Sequence, residues 1–96
     1  MINISSLDFT ITPAIRTEIT SLEPTLYKHI PETERIQVTL SKAAPDVFHV
    51  HMQAHYLGKD IISDHESHNF HKALEFCKEH FVKQIDKRRD KVQKRG

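Results

Sequence analysis

One cysteine, two glycines and no run of 18 apolar residues set the first limits on this 96-residue chain. The lone Cys77 cannot close an internal disulfide, which points to a reducing compartment. Without a long apolar run, no helix is expected to span a membrane. The opening Met1-Ile2-Asn3-Ile4 has neither the basic nor the apolar region of a signal peptide, so a cytoplasmic location is expected. With so few glycines there is no Gly-rich phosphate loop or nucleophile loop, and Asp64-His65-Glu66 has no such companion. No Cys-x-x-Cys pair offers a zinc site. The chain therefore reads as non-enzymatic, with no cofactor, no metal and no small-molecule substrate. Internal repeats, low-complexity tracts and long linkers are also missing.

What is present describes an ordinary soluble protein, 38% apolar and 28% charged, long enough for one hydrophobic core and not for two. The formal net charge of +1 conceals an asymmetry: residues 78–96 hold eight Lys or Arg against three acids, while residues 1–77 hold six against ten. A basic end on an acidic body fits an anionic partner such as nucleic acid, or a solvated helix end that serves only solubility.

Ile2 and Ile4 alternate with polar neighbours, as in a short strand. Thr12 can cap a helix and Pro13 suits its first turn. Ile15, Ile19, Leu22, Leu26 and Ile30 then form one apolar stripe, interrupted by Pro24, where a kink or a break is expected, and closed by Pro31. Ile36, Val38 and Leu40 mark a second strand, and Lys42 to Asp46 reads as a turn. Phe48, Val50, Met52, Ala54 and Tyr56 face one side of a third strand, with His49, His51, Gln53 and His55 on the other. Gly58 supplies a hairpin turn into a fourth strand over about 60–65, in which the adjacent Ile61 and Ile62 cannot both face the core. Ser67 or Asn69 can cap a last helix with the stripe Phe70, Ala73, Leu74, Cys77, Phe81 and Ile85. The order β-α-β-β-β-α predicts an α+β two-layer sandwich, a four-stranded sheet with both helices on one face.

Particular residues now carry a resemblance. Ile2-Asn3-Ile4-Ser5 and Ile11-Thr12-Pro13-Ala14-Ile15-Arg16 resemble the start of the ribosome hibernation promoting factor and ribosome-associated inhibitor family. The likeness continues into Val38-Thr39-Leu40-Ser41-Lys42. It resumes in Asn69-Phe70-His71-Lys72-Ala73-Leu74-Glu75 and in Phe81-Val82-Lys83-Gln84-Ile85, followed by Lys87-Arg88-Arg89-Asp90-Lys91. In length the chain is similar to the family's short form.

The resemblance implies a fold similar to double-stranded RNA-binding domains. It implies a single ribosome-binding domain over 1–96, its last ten or so residues a projecting basic helix end. The implied partner is the ribosome small subunit with its ribosomal RNA, and the implied action is to block translation under stress or in stationary phase. Carried over residue by residue, the RNA-binding candidates are Arg16, Lys83, Lys87, Arg88, Arg89 and Lys91. Lys83, Lys87 and Lys91 recur every fourth residue and share one helix edge, which Arg88 and Arg89 widen. The chain departs from the family at Leu22 and Thr25, where lysines are usual. A second reading follows from that departure: the same fold with weakened ribosome affinity, acting as a protein-interaction or metal-binding module.

The eight histidines call for their own account. His49, His51 and His55 share a strand face, and His65, His68 and His71 form a second group near the last helix. They read either as a pH-responsive surface, since imidazoles charge within the physiological range, or as a polar, neutral one.

Overall fold

The structure, a computed structural model, describes residues 2–93. Its elements are β1 (Ile2–Ser6), α1 (Pro13–Thr20), α2 (Glu23–Leu26), β2 (Ile36–Ala44), β3 (Val47–Tyr56), β4 (Lys59–Ser67) and α3 (Phe70–Gln93). The strands form one sheet in the order β1-β2-β3-β4, with β1 parallel to β2 and the later pairs antiparallel. A parallel pair needs a crossover, and α1 and α2 supply it. This is the expected α+β layering.

The Thr12 hydroxyl accepts from the Ile15 N–H at 3.2 Å, and Pro13 occupies the first turn of α1. At Pro24 the alternatives resolve into a break. The first helix ends at Thr20, and Pro24 falls in the first turn of the new helix α2, where its missing N–H orphans nothing. The break keeps the stripe facing inward, since Ile19, Leu22, Leu26 and Ile30 are all buried.

Two strand boundaries differ from expectation. The turn expected over 42–46 shrinks to Pro45-Asp46, because β2 runs on to Ala44 through a bulge between Lys42 and Ala44. The backbone N–H of Lys42, beside that bulge, is held by the Asp8 carboxylate at 3.1 Å and 3.3 Å, a long-range bond that no local pattern announces. β4 extends to Ser67, beyond the expected 60–65. Between β3 and β4, Leu57 and Gly58 both have positive φ (51° and 78°), the pair of left-handed residues that a type I′ turn demands. That two-residue turn sets Ala54 opposite Ile61 and Gln53 opposite Ile62. Ile61 is therefore in the core, and Ile62 is 43% exposed on the open face.

Val38, Leu40, Val50, Met52, Ala54 and Ile61 line the inner face of the sheet. Ala73, Leu74, Cys77, Phe81 and Ile85 of α3 close over it together with Ile19, Leu22 and Leu26, in one continuous cluster. Both helical segments thus cover the same face. Phe70 is only partly buried and meets Phe48 edge-on, with ring centroids 5.8 Å apart. Asn69 caps α3, its side-chain oxygen accepting from the Lys72 N–H at 3.1 Å, while the Ser67 hydroxyl accepts from the Asn69 N–H. No described helix is long and apolar enough to cross a membrane.

Candidate nucleic-acid interface

Past Ile85 no described residue of α3 is buried, and the cations of this end of the helix begin with Lys83, just before it. At a rise of about 1.5 Å per residue, the row from Lys83 to Lys91 covers roughly 12 Å of helix. Lys83, Lys87 and Lys91 are exposed, and among the described residues none of the three has an ion-pair partner. Their fourfold spacing puts them on adjoining turns of one edge.

The arginines are placed differently. Arg89 pairs with Asp86 through Nη2 to Oδ1 at 3.1 Å, and the same oxygen contacts His29 Nδ1 at 2.8 Å. Asp86 thereby anchors α3 to the segment after α2. Arg88 turns toward the sheet, its Nη2 donating to the Leu57 carbonyl at 2.6 Å across the β3–β4 turn. The row of cations expected along the helix is therefore three exposed lysines flanked by two docked guanidiniums. The remainder of the basic end, Lys94, Arg95 and Gly96, lies outside the described residues.

Arg16 is exposed on α1 and stands apart from this group. Its near neighbour in sequence, Glu18, meets His71 in the first turn of α3 at 2.7 Å. Lys83 lies 12 residues beyond His71, about 18 Å along the axis. Leu22, at a position where the resemblance implies a lysine, is 8% exposed. An ammonium there would be buried in the core, so the broken helix explains the apolar residue. Thr25 remains on the surface.

Sequence reasoning missed Lys59 and Gln84. Lys59 opens β4, and Gln84 Nε2 donates to the Ile62 carbonyl of that edge strand at 2.6 Å. Together with Ile61, Lys87, Arg88 and Lys91 they line a hollow of about 130 Å³. The Gly58-Lys59 turn was legible; that α3 crosses beside it was not.

The open face of the sheet is organised by carboxylates. His49 Nε2 and His51 Nδ1 both bond Asp64 Oδ1, at 2.9 Å and 2.8 Å, and His55 Nδ1 bonds Asp60 at 3.2 Å. Burial pushes the Asp64 carboxyl up, but the hydrogen bonds and charges of His51 and His49 outweigh it and hold the group below its usual range. The second histidine group does not converge. His68 reaches Asp46, His71 reaches Glu18, and His65 packs on the Phe76 ring at 5.0 Å. Among the described residues, no set of His, Cys, Asp or Glu is arranged to hold a metal ion.

Cys77 is fully buried beneath β3 and β4, its thiol directed at the Ser63 and Val50 carbonyls. Burial pushes that thiol up to about 11, the reverse of what a nucleophile needs. Asp64-His65-Glu66 alternates across β4, with Asp64 and Glu66 opposite His51 and His49 on the open face while His65 packs against α3.

Comparison with solved structures finds the same fold in two bacterial proteins. The crystal structure of the Thermus thermophilus Protein Y N-terminal domain superposes with a TM-score of 0.77 at 18% identity, over 88% of this chain and 93% of that one. A ribosomal subunit interface protein from Coxiella burnetii gives 0.76 at 18% identity, over 93% and 97%. Comparison with curated protein sequences gives no match. The family described as "Sigma 54 modulation protein / S30EA ribosomal protein" matches residues 2–93, from the first strand to the end of α3. That span takes in both stretches on which the resemblance to the hibernation factors rests, and by it the chain belongs to this family.

Proposed function

We propose that this protein associates with the ribosome in the cytoplasm and blocks translation under stress or in stationary phase, seated in the RNA channel of the small subunit. It acts as a plug and makes or breaks no bond. The observation that carries the reading is the exposed row Lys83, Lys87 and Lys91 on a chain of the S30EA family. Phosphates of ribosomal RNA are the natural counter-charge for such a row, and their contacts position a protein without reading base sequence. Arg89 and Arg88 border the row, and Arg16 supplies a separate contact from α1. The Coxiella burnetii relative is itself described as a ribosomal subunit interface protein, which agrees with this reading.

The buried Leu22 removes one cation from the first helix and favours the second reading, an interaction module with little ribosome affinity. Sedimentation through a sucrose gradient with purified small subunits, at about 50 mM salt, separates the two. Under the ribosome reading the protein travels with the subunits and is released by the triple reversal Lys83→Glu, Lys87→Glu, Lys91→Glu. Parent protein left at the top of the gradient rejects it.

A further inference from the structure

We propose that the hollow between α3 and the β3–β4 turn is a binding pocket for a single phosphate group, held by Arg88 with Lys59, Lys87 and Lys91. Four of the six residues lining it are cations, the other two are Ile61 and Gln84, and no acid is among them. In a chain of net charge +1 with 13 Asp or Glu, such an acid-free concentration of cations is selective.

Arg88 supplies the second, independent observation. Its Nη2 donates to the Leu57 carbonyl at 2.6 Å, while its buried Nε–H has no hydrogen-bond partner among the described residues. A buried donor left unpaired costs free energy, and on a guanidinium the matching acceptor is an anionic oxygen. Guanidinium and phosphate oxygens match in geometry, and ammonium groups add charge without directional demand. The exposed Lys59, Lys87 and Lys91 can close on a bound anion from the rim. A volume of about 130 Å³ suits a phosphate group and its waters. The phosphate can belong to an RNA backbone, in which case the inference rests on the ribosome reading above, or to a free phosphate compound.

Nuclear magnetic resonance of the whole chain tests this, with the Arg88 Nε–Hε resonance and the Lys59 amide as reporters. The probes are inorganic phosphate and a short RNA duplex, each at ionic strength balanced with sodium chloride. Both reporters should shift saturably with phosphate. Lys59→Met with Lys91→Met should raise the half-saturating phosphate concentration about tenfold, whereas Lys28→Met, outside the hollow, should not. The substituted lysines are exposed, so the fold is not at stake.

Shifts with both probes assign the pocket to a polynucleotide phosphate; shifts with inorganic phosphate alone assign it to a free phosphate compound. Reporters that stay still with both probes, that respond equally to chloride, or that are indifferent to the double substitution overturn the pocket. Sedimentation run in parallel keeps the two claims apart. Parent protein that travels with small subunits while its reporters ignore phosphate refutes the pocket alone. Saturable phosphate shifts in a protein that ignores ribosomes refute the ribosome reading alone.

Discussion

Neutralising the lysine row by Lys83→Gln, Lys87→Gln and Lys91→Gln should change the salt dependence of ribosome binding by a calculable amount. Each phosphate neutralised releases condensed counterions and contributes about 0.7–0.9 to the slope of log affinity against log salt, depending on whether the nucleic acid is single- or double-stranded. The three lysines are exposed and unpaired among the described residues, so a phosphate can meet each without first breaking an internal bond. Their removal should flatten the slope by roughly 2–3, a factor of ~20–40 over the range from about 50 to about 200 mM salt. Arg89, already paired with Asp86, contributes less than a free cation would. The assay is sedimentation with small subunits across a salt series, parent and triple variant side by side. Glutamine keeps the helix propensity of lysine, and Lys83, Lys87 and Lys91 are all exposed, so the variant folds as the parent does. A triple variant with the parent's slope, whatever its affinity, would show that phosphates do not meet this edge, and the cationic reading of α3 would fall.

Other consequences follow from the same geometry. Leu57 is held at φ 51°, a conformation costly for a bulky side chain, so Leu57→Asn should stabilise the β3–β4 turn by about 1 kcal/mol and raise Tm by ~4–8 °C in a thermal melt. Phe81 is fully buried, and Phe81→Ala should cost about 3–5 kcal/mol, read as a lowered urea midpoint. A carboxyl held low in the folded state, as at Asp64, contributes stability above its unfolded value near 3.9, and that contribution is lost as pH falls through the folded value. Asp64→Asn should therefore make the urea midpoint depend less steeply on pH below about 4, and an unchanged slope would count against the His49–Asp64–His51 cluster. With its thiol pushed up to about 11 and its side chain buried, Cys77 should resist an aromatic disulfide reagent at neutral pH until denaturant is added, and rapid labelling of the native protein would contradict that placement.

Periodicity carried most of the fold. The alternation of Phe48 to Tyr56 names its own faces, and the stripe from Ala73 to Ile85 is buried as spaced, because in both cases the local period and the tertiary burial agree. Where they could disagree, sequence was silent. Nothing local decides between Ile61 and Ile62; the choice comes from the register imposed by the two-residue turn at Leu57-Gly58. The Asp8 carboxylate that holds the Lys42 N–H beside the β2 bulge lies 34 residues away. The chemistry was legible at the level of residue type only. Lys83, Lys87 and Lys91 could be placed on one edge by counting, since helical spacing is intrinsic to the helix. The fates of Arg88 and Arg89 could not, because a guanidinium on a long stem takes whichever acceptor the tertiary structure brings near.

The two faces of the molecule divide its charge by different rules. On the open face of the sheet, imidazoles sit beside carboxylates at 2.8–3.2 Å, His49 and His51 on Asp64 and His55 on Asp60. At the far end of α3 the balance shifts: Asp86 and Asp90 border Lys83 and Lys87 on one side, while the side toward the β3–β4 turn has no acid. Lys59, Lys87, Arg88 and Lys91 gather around a hollow with no acid in its lining, and Lys83 extends the row outside it. A surface whose cations are already neutralised from within has little charge left for a polyanion, whereas one that leaves them unmatched holds together only at a cost in self-repulsion, which a polyanion relieves on binding. By that criterion the α3 end is the surface better suited to a polyanion, and the histidine face the less suited one.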